Sequence, residues 1–363
     1  ATAATTVASS DAAVPVPLLL PVQPFYFLTW DAPPLSHGGV DGDGAVPRVL
    51  GFDGTLLVMN SAQKPKRLTL LTSDERAVRM LVKGGDDLRL DQRLETLFAC
   101  MNAPILAQEQ HDEGPGELGA RARAAGVLSC RLRVRTYSVV PVSKRVGIVE
   151  WVPDTEPMKA LIERGMHRDA SLGGRAPSVL KHPATLAYYD FVQHCTDALP
   201  NAAALSDVQK FLAMFTAVRN RSGAHTERVR DWIQGINPTY LQSSLQDLAP
   251  SHAAWYYLRK NFARSVAATS VVGYVLGVGD RHLDNFLVDA ATAEVVAIDF
   301  GHAFGSATMA LPIPELMPFR LTPQMRGALG VLGVDAVRPA MATTLRAVQR
   351  ARPLLQGLLA SFL

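Results

Sequence analysis

The stretch GVGDRHLDNFLVDAATAEVVAIDFGHAFG, residues 277–305, decides the fold expected for this chain. Two short apolar runs, 286–289 and 294–298, are separated by turn-forming residues and predict a two-stranded hairpin. Asn285 directly precedes the first run and Asp299 directly follows the second, so the hairpin would bring these two side chains together. Upstream, the pattern over 252–276 predicts a long helix that ends at Gly277.

The polar residues of this stretch have the spacing that phosphoryl transfer requires. A phosphoryl transferase needs one carboxylate to orient or deprotonate the attacking hydroxyl, and an amide oxygen plus a second carboxylate to hold magnesium. Asp280 lies five residues before Asn285, and Asp299 lies fourteen residues after it within an Asp-Phe-Gly triplet. Taken singly, Asp280, Asn285 and Asp299 are explained equally well as turn or strand-end residues, and His282 as a core histidine. Their joint occurrence at this spacing favours a chemical site.

A second candidate stretch is LVKGGDDLRLDQR, residues 81–93. It predicts that a strand over 78–83 ends in Lys83 and that a helix over 86–102 begins at an N-cap of Asp86 or Asp87. A lysine at a strand end is suited to contact nucleotide phosphates, and Asp91, helped by Asp86, is expected to fix its side chain. The alternative is a surface lysine beside a capping aspartate. The helical spacing is carried by apolar residues on one face: Leu90, Leu94, Leu97, Phe98 and Met101.

The segment GIVEWVP, residues 147–153, is typical of a hinge between two lobes. Backbone groups of Glu150 to Val152 would bond an adenine edge while Trp151 packs on its face. A buried core tryptophan is the alternative. The loop MNSAQKPKR, residues 59–67, would close over phosphates through its N–H groups and Ser61, or would simply be a solvated loop.

The organisation predicted from these patterns is an α+β chain with two lobes and a cleft. Residues 1–47 are rich in Ala, Thr, Pro and Gly and predict a tail or linker. Residues 48–152 predict strands, including 55–59, 67–71, 131–142 and 146–152, around one helix, with 109–126 as a surface insertion. Residues 153–363 predict a mainly helical lobe.

Composition excludes several classes of protein. The net charge of +3, from 36 basic and 33 acidic residues, indicates no general affinity for nucleic acid. The three cysteines form no disulfide framework or zinc module, which fits a reducing compartment. No stretch is expected to span a membrane. The first residue is not methionine, so the chain is expected to be a piece of a longer protein.

The motifs together resemble the kinase domain of the phosphatidylinositol 3-kinase-related protein kinases, and the resemblance covers about residues 48–360. It is carried by GVGDRHLDNF (277–286), AIDFGHAFG (297–305), LVKGGDDLRLDQR (81–93), RTYSVVPVSKRVGIVEW (135–151) and PELMPFRLT (314–322). The fold it implies is the two-lobed protein-kinase-like fold of the PI3K/PI4K type. The small β-rich N-lobe would be 48–152 and the larger α-rich C-lobe 153–363, without the family's aromatic C-terminal segment.

The resemblance also implies a role for each candidate residue. Catalysis is implied for Asp280, His282 and Lys83, magnesium binding for Asn285 and Asp299, and acceptance of the peptide for Leu311 and Glu315. The nucleotide-binding set implied in this way is Ser61, Leu81, Lys83, Asp86, Asp91, Tyr137, Glu150, Trp151, Val152, Leu287 and Ile298.

The implied activity is transfer of the γ-phosphate of ATP, with Mg²⁺ or Mn²⁺, to Ser or Thr followed by Gln in proteins. Residues 304–322 and 58–67 most resemble the family member that acts in repair of DNA double-strand breaks by non-homologous end joining. This implies a nuclear location, protein substrates, no membrane, and contact with the Ku heterodimer and DNA ends through regions outside this chain.

Two alternatives remain open. The same fold serves lipid kinases, but an inositol phosphate needs cations in the substrate loop, and 302–319 contains no Lys or Arg. A silent scaffold usually lacks the lysine or one of the aspartates, whereas Lys83, Asp280, Asn285 and Asp299 are all present. The pattern therefore favours a protein kinase.

Overall fold

We analysed a computed structural model of the 363-residue chain. It describes residues 15–17, 49–59, 63–113, 131–169, 182–197, 230–232, 234–311 and 317–361, together with a few positions between 201 and 227. The chain divides into two compact units. The smaller unit contains residues 1–95 and 137–153, and the larger contains 96–136 and 154–363.

The smaller unit is built on an antiparallel sheet of seven strands, in the order β1-β3-β4-β5-β7-β6, with β2 paired to β4. Residues 15–17 pair with β3, although the sequence predicts only a tail there. The central strands β4 and β5 are the longest, with seven and eight residues, and most of their positions are half-buried. The strands are β1 (Pro15–Pro17), β2 (Val49–Phe52), β3 (Thr55–Val58), β4 (Lys66–Thr72), β5 (Ala77–Gly84), β6 (Val139–Pro141) and β7 (Val146–Glu150).

Helix α1 (Arg89–Glu113) follows β5 and supplies its first residues to the smaller unit and the rest to the larger. Its predicted apolar face is confirmed at four positions, Leu94, Leu97, Phe98 and Met101, which are all buried. Leu90 is only half-buried. The helix begins at Arg89, whose N–H donates to the Asp87 carboxylate.

The predicted surface insertion over 109–126 is wrong at its start. Helix α1 continues to Glu113, and Glu109 is buried with its carboxylate accepting the Leu132 N–H at 2.9 Å and pairing with Arg264. Residues 114–126 lie outside the described residues.

The predicted strand over 131–142 is also wrong, because only 139–141 joins a sheet. Within 131–137, the N–H groups of Leu132, Val134 and Tyr137 are bonded by polar side chains of α1 rather than by a neighbouring strand. In the larger unit Asn102 exchanges two hydrogen bonds with Val134, at 2.8 and 2.9 Å. In the smaller unit Glu95 accepts the Tyr137 N–H at 3.1 Å.

The larger unit is mainly helical and contains a small three-stranded antiparallel sheet in the order β10-β9-β8. The hairpin predicted from the sequence is confirmed: β9 covers Phe286–Asp289, β10 covers Val295–Ala297, and Val295 pairs with Val288. The other elements among the described residues of this unit include β8 (Thr155–Pro157), α2 (Met158–Met166), α3 (Pro183–Asp197), α4 (Tyr240–Asp247), α5 (His252–Val275), α6 (Ala307–Ala310), α7 (Pro323–Ala328), α8 (Arg338–Arg350) and α9 (Arg352–Ala360).

The core of this unit forms around α5, which is capped by the Ser251 hydroxyl accepting the Ala254 N–H. Phe262 of α5 is fully buried, as are Met158 and Leu161 of α2 and Leu241 of α4. None of the helices in the described part of the chain is long and apolar enough to cross a bilayer.

Candidate active site

The larger unit brings Asp280, Asn285 and Asp299 into one bonded assembly. The Ile298 N–H, directly before Asp299, donates to the Asn285 backbone oxygen at 3.0 Å. The Asn285 side-chain amide donates to the Asp280 backbone oxygen at 2.9 Å. The hairpin β9–β10 therefore joins the two predicted metal ligands, and Asn285 in turn holds the loop that carries the predicted base.

The chain on either side of this assembly is tied together by backbone hydrogen bonds. Gly279 N donates to His302 O at 2.9 Å, Phe304 N to Leu276 O at 2.8 Å, and Gly305 N to Gly277 O at 2.9 Å. The approach requires glycine at 277, where φ is +57° and an added Cβ would lie 2.6 Å from Gly305 N. The end of α5 and the segment after Asp299 are thus fixed to each other.

Both candidate carboxylates have a left-handed backbone. Asp280 has φ of +58° and Asp299 has φ of +61°. Such a conformation costs a non-glycine residue roughly 1–3 kcal/mol and persists only where the surrounding structure enforces it. Aspartate and asparagine tolerate it better than most residues. Backbone strain of this kind at two candidate catalytic carboxylates is typical of a functional site.

The side chains of Asn285 and Asp299 are suited to magnesium. Because the Asn285 amide nitrogen is bonded to Asp280, its amide oxygen remains as the ligand atom. Asp299 is exposed and Asn285 is buried, so the pair offers one charged and one neutral oxygen. Mg²⁺ prefers hard oxygen ligands, and it usually takes one or two from protein and the rest from phosphates and water. Asp280 is half-buried, and His282 is exposed.

Sequence reasoning assigned no role to Arg281, although it lies inside the motif. The side chain is buried at 6% exposure and donates to backbone oxygens of both the loop and the Asp299 segment. The signal in the sequence was the position of Arg281 between the candidate residues Asp280 and His282. Its burial is found only in the structure, and an arginine is almost never fully buried unless it is paired.

The smaller unit contains the predicted nucleotide-binding residues on its central strands. Leu81 of β5 pairs with Val149 of β7, and Lys83 pairs with Gly147. Lys83 is half-buried and forms no ion pair with any described residue. Asp91, its expected partner, is buried on the first turn of α1.

The other predicted helper, Asp86, accepts a hydrogen bond from the Gln63 side chain at 2.6 Å. Asp87 beside it is bonded by Arg89, which lowers the pKa of Asp87 to about 2. Asp86 and Asp87 therefore both bond to neighbouring side chains. The predicted contact with the nucleotide phosphates then depends on Lys83.

The predicted hinge, residues 147–153, includes the end of strand β7 at Glu150. The Glu150 N–H donates to Ser138 O at 2.8 Å, and the Trp151 N–H donates to Arg79 O at 3.0 Å, so both donors are already used within the sheet. The Glu150 carboxylate is bonded to Ser138 N at 2.9 Å. The Arg67 guanidinium lies 5.1 Å from the centre of the Trp151 ring, which covers one face of the ring.

Glu95 is a functional candidate that sequence reasoning missed. It is 5% exposed, one Oε accepts the Tyr137 N–H, and the other Oε is buried without a partner in the described part of the chain. Burial raises the pKa of Glu95 well above its ordinary value of 4.5, and the charges of Asp91 and Glu150 raise it further. The available signal was the spacing of polar residues at 95, 102 and 109 along an otherwise apolar helix face.

Replacement of Glu95 by glutamine is expected to stabilise the protein at pH 8 and to change little at pH 4. A carboxyl whose pKa is raised on folding favours the folded state fully below its ordinary pKa, and loses that contribution as pH rises through the folded value. We expect about 1 kcal/mol at pH 8, read as a Tm higher by roughly 2–4 °C. An equal Tm difference at both pH values would contradict the titration.

The remaining predicted residues divide between the two units. Tyr137 is buried and Val152 half-buried in the smaller unit, and Leu287, Ile298 and Leu311 are half-buried in the larger. Ser61 and Glu315 lie outside the described residues.

Comparison with known proteins places this arrangement among kinases. A model of the family described as phosphatidylinositol 3- and 4-kinase matches residues 77–363. The DNA-dependent protein kinase catalytic subunit of Dictyostelium discoideum is 37% identical over 309 residues, which is 85% of this chain and 7% of that protein. The mouse (Mus musculus) protein of the same name is 36% identical over 277 residues, 76% of this chain and 6% of that protein. Serine/threonine-protein kinase SMG1 of Danio rerio is 30% identical over 335 residues, 90% of this chain and 8% of that protein.

Solved structures give the same answer for the fold. The structure titled "FAT and kinase domain of CtTel1" matches with a TM-score of 0.59 and 27% identity, over 96% of this chain and 20% of that chain. "Structure of the open conformation of CtTel1" matches with a TM-score of 0.60 over 96% of this chain and 11% of that chain. The chain spans 6–8% of the length of the curated relatives it matches.

Proposed function

The chain belongs to the phosphatidylinositol 3- and 4-kinase family and has its two-lobed fold, and on that premise we propose that it is the catalytic domain of a serine/threonine protein kinase. It would transfer the γ-phosphate of ATP to Ser or Thr in proteins. The observation that carries the proposal is the bonded assembly of Asp280, Asn285 and Asp299 on a hairpin. Domain boundaries at 47/48 and 152/153 are part of the same proposal.

The residues have distinct tasks in this reaction. Asp280 accepts the proton of the attacking hydroxyl, and the exposed His282 stabilises the charge that develops nearby. Lys83 contacts the phosphates from the smaller unit. Asn285 and Asp299 would hold Mg²⁺, or Mn²⁺, which supplies neutralisation of the triphosphate charge. Contact with the adenine is proposed for each of Leu81, Tyr137, Trp151 and Val152 of the smaller unit and Leu287 and Ile298 of the larger.

Protein rather than lipid is proposed as the acceptor for two reasons. The relatives named above are protein kinases by name. The segment 302–319 carries no lysine or arginine with which to bind an inositol phosphate. Leu311, with Glu315, is proposed to accept a glutamine after the target Ser or Thr.

The cellular setting is proposed from the relatives alone. Similarity to DNA-dependent protein kinase catalytic subunits supports a nuclear role in double-strand-break repair by non-homologous end joining. Contact with the Ku heterodimer and DNA ends would then be made by parts of the protein outside these residues.

A phosphotransfer assay with matched acceptors tests the proposal. The chain is incubated with Mg²⁺ and labelled ATP and with a Ser-Gln peptide, its Ser-Ala counterpart, or phosphatidylinositol vesicles. We expect the Ser-Gln peptide to be phosphorylated at least ~10-fold faster than the other two, since a lost buried contact costs about 1–2 kcal/mol. The chain itself contains no Ser-Gln or Thr-Gln dipeptide, so it offers no internal copy of the acceptor motif under test.

Two results would count against the proposal. Faster transfer to the vesicles than to either peptide would indicate a lipid kinase. Binding of Mg²⁺ and ATP without transfer to any acceptor would indicate a scaffold.

A further inference from the structure

The Arg281 guanidinium binds three backbone oxygens that surround the two catalytic aspartates. Its Nε donates to Gly279 O at 2.8 Å, one terminal nitrogen donates to Ile298 O at 2.9 Å, and the other donates to Asp299 O. Gly279 O belongs to the peptide that precedes Asp280, and Ile298 O to the peptide that precedes Asp299. One side chain therefore bonds the peptide planes on which both left-handed residues depend.

The guanidinium is itself held in place by aromatic rings. It lies 5.2 Å from the centre of the Phe300 ring and 6.0 Å from the centre of the Phe286 ring. Phe300 is 1% exposed and packs edge-to-face on Phe98 of α1, with ring centres 5.2 Å apart. These contacts desolvate the cation and limit its rotation, which strengthens its hydrogen bonds.

We propose that Arg281 is a positioning residue that sets the spacing and orientation of the Asp280 and Asp299 carboxylates. The inference rests on the proposed function and concerns a residue to which that function gives no task. The two carboxylates act on opposite ends of the transfer, one on the attacking hydroxyl and one on the phosphate-bound metal. Their relative placement therefore governs the rate, and a misplacement of about 1 Å costs about 10²-fold.

Lysine cannot take over this task. The three acceptors lie around one planar fork, and arginine presents five donors in that plane. A lysine ammonium keeps the charge but would reach at most one or two of these oxygens. The charge of Arg281 and its geometry can therefore be separated by experiment.

The test compares Arg281→Lys, Arg281→Ala and, as a matched surface control, Arg338→Ala, whose arginine is 76% exposed. For Arg281→Lys we expect kcat to fall about 10²-fold with KM for ATP within about threefold of wild type. We expect ~50 mM guanidinium ion to restore part of the kcat of Arg281→Ala, because it refills the vacated planar site. Urea, which has the same shape without charge, should restore less, and Arg338→Ala should behave as wild type.

Binding of Mn²⁺ with a non-hydrolysable ATP analogue gives a readout that does not need turnover. The dissociation constant is expected to rise at least ~10-fold in Arg281→Lys, because Asp299 would no longer be held at its site. This measurement decides the matter even where wild type proves inactive toward every acceptor, a result that would overturn the proposed function alone.

Two results would overturn the positioning role. One is kcat and Mn²⁺ affinity of Arg281→Lys both within threefold of wild type. The other is a folded Arg281→Ala variant, shown by an unchanged Tm, whose lost activity does not respond to guanidinium. If the Tm of Arg281→Ala is lowered, the proposal is judged on Arg281→Lys alone, because that variant keeps the charge and most of the volume.

Discussion

Replacement of Asp299 by asparagine is expected to lower kcat by about 10²–10³-fold, the scale of losing one electrostatic stabiliser of the transition state. The substitution keeps the shape and one oxygen but removes the negative charge of the proposed metal site. Asn285 is neutral, so Asp299 supplies the formal charge of the pair. Because Asp299 is exposed, the loss should appear in kcat and in the magnesium concentration for half-maximal rate, with an unchanged Tm.

Asp284→Asn is the matched control, since it makes the same chemical change in the same loop. The Asp284 carboxylate is 49% exposed and pairs with Lys159 at 3.1 Å, away from any task assigned above. An exposed pair of this kind contributes about 0–1 kcal/mol, and kcat should stay within about threefold of wild type. Equal loss in both variants, or full activity of Asp299→Asn, would rule out the assigned metal site.

Replacement of Glu294 by alanine is expected to destabilise the larger unit by about 3–5 kcal/mol, which is the scale of removing one partner from a buried ion pair. Arg133 donates to both Glu294 oxygens, at 2.9 and 2.8 Å. Arg135, whose side chain is 8% exposed, donates to Glu294 at 2.9 Å and to Asp289 at 3.2 Å. The cluster fixes segment 131–135 to the turn of the β9–β10 hairpin.

The destabilisation caused by Glu294→Ala should be larger at pH 7 than at pH 4. Burial favours the neutral form of Glu294, but the hydrogen bonds and charges of Arg133 and Arg135 outweigh it and keep the pKa below its ordinary value of 4.5. The contribution is therefore present above pH 4.5 and is lost as pH falls through the folded pKa. Denaturant unfolding at pH 7 and pH 4 should show the wild-type advantage shrinking at the lower pH.

The exposed pair of Asp335 and Arg338 provides the comparison, because its side chains are 66% and 76% exposed. Asp335→Ala should cost under about 1 kcal/mol at either pH. A Glu294→Ala cost as small as that would mean that solvent, rather than the arginines, satisfies Glu294.

The parts of the fold that followed from sequence were those determined by local pattern. Strand β9 over Phe286–Asp289 was predicted residue for residue, because apolar positions bounded by polar turn residues leave little choice of limits. The apolar face of α1 followed from helical spacing for the same reason. The prediction that one hairpin carries both Asn285 and Asp299 then followed from the positions of its two strands.

The parts that failed depend on contacts between segments distant in sequence. Residues 131–137 have the composition of a strand, yet three of their N–H groups are bonded by Glu95, Asn102 and Glu109 of α1. A single-sequence pattern cannot show that side chains of a helix will replace a neighbouring strand. The same holds for Arg281, whose three acceptors are contributed by two segments joined only through the fold.

The left-handed backbone at Asp280 and Asp299 has a genetic consequence. One transition in an aspartate codon gives asparagine, which tolerates this backbone about as well. Such alleles are therefore expected to encode abundant, correctly folded protein that lacks phosphotransfer activity. Bulkier replacements at the same codons would instead lower the amount of protein. A screen that scores abundance would therefore pass these aspartate-to-asparagine changes, and a screen that scores phosphotransfer would not.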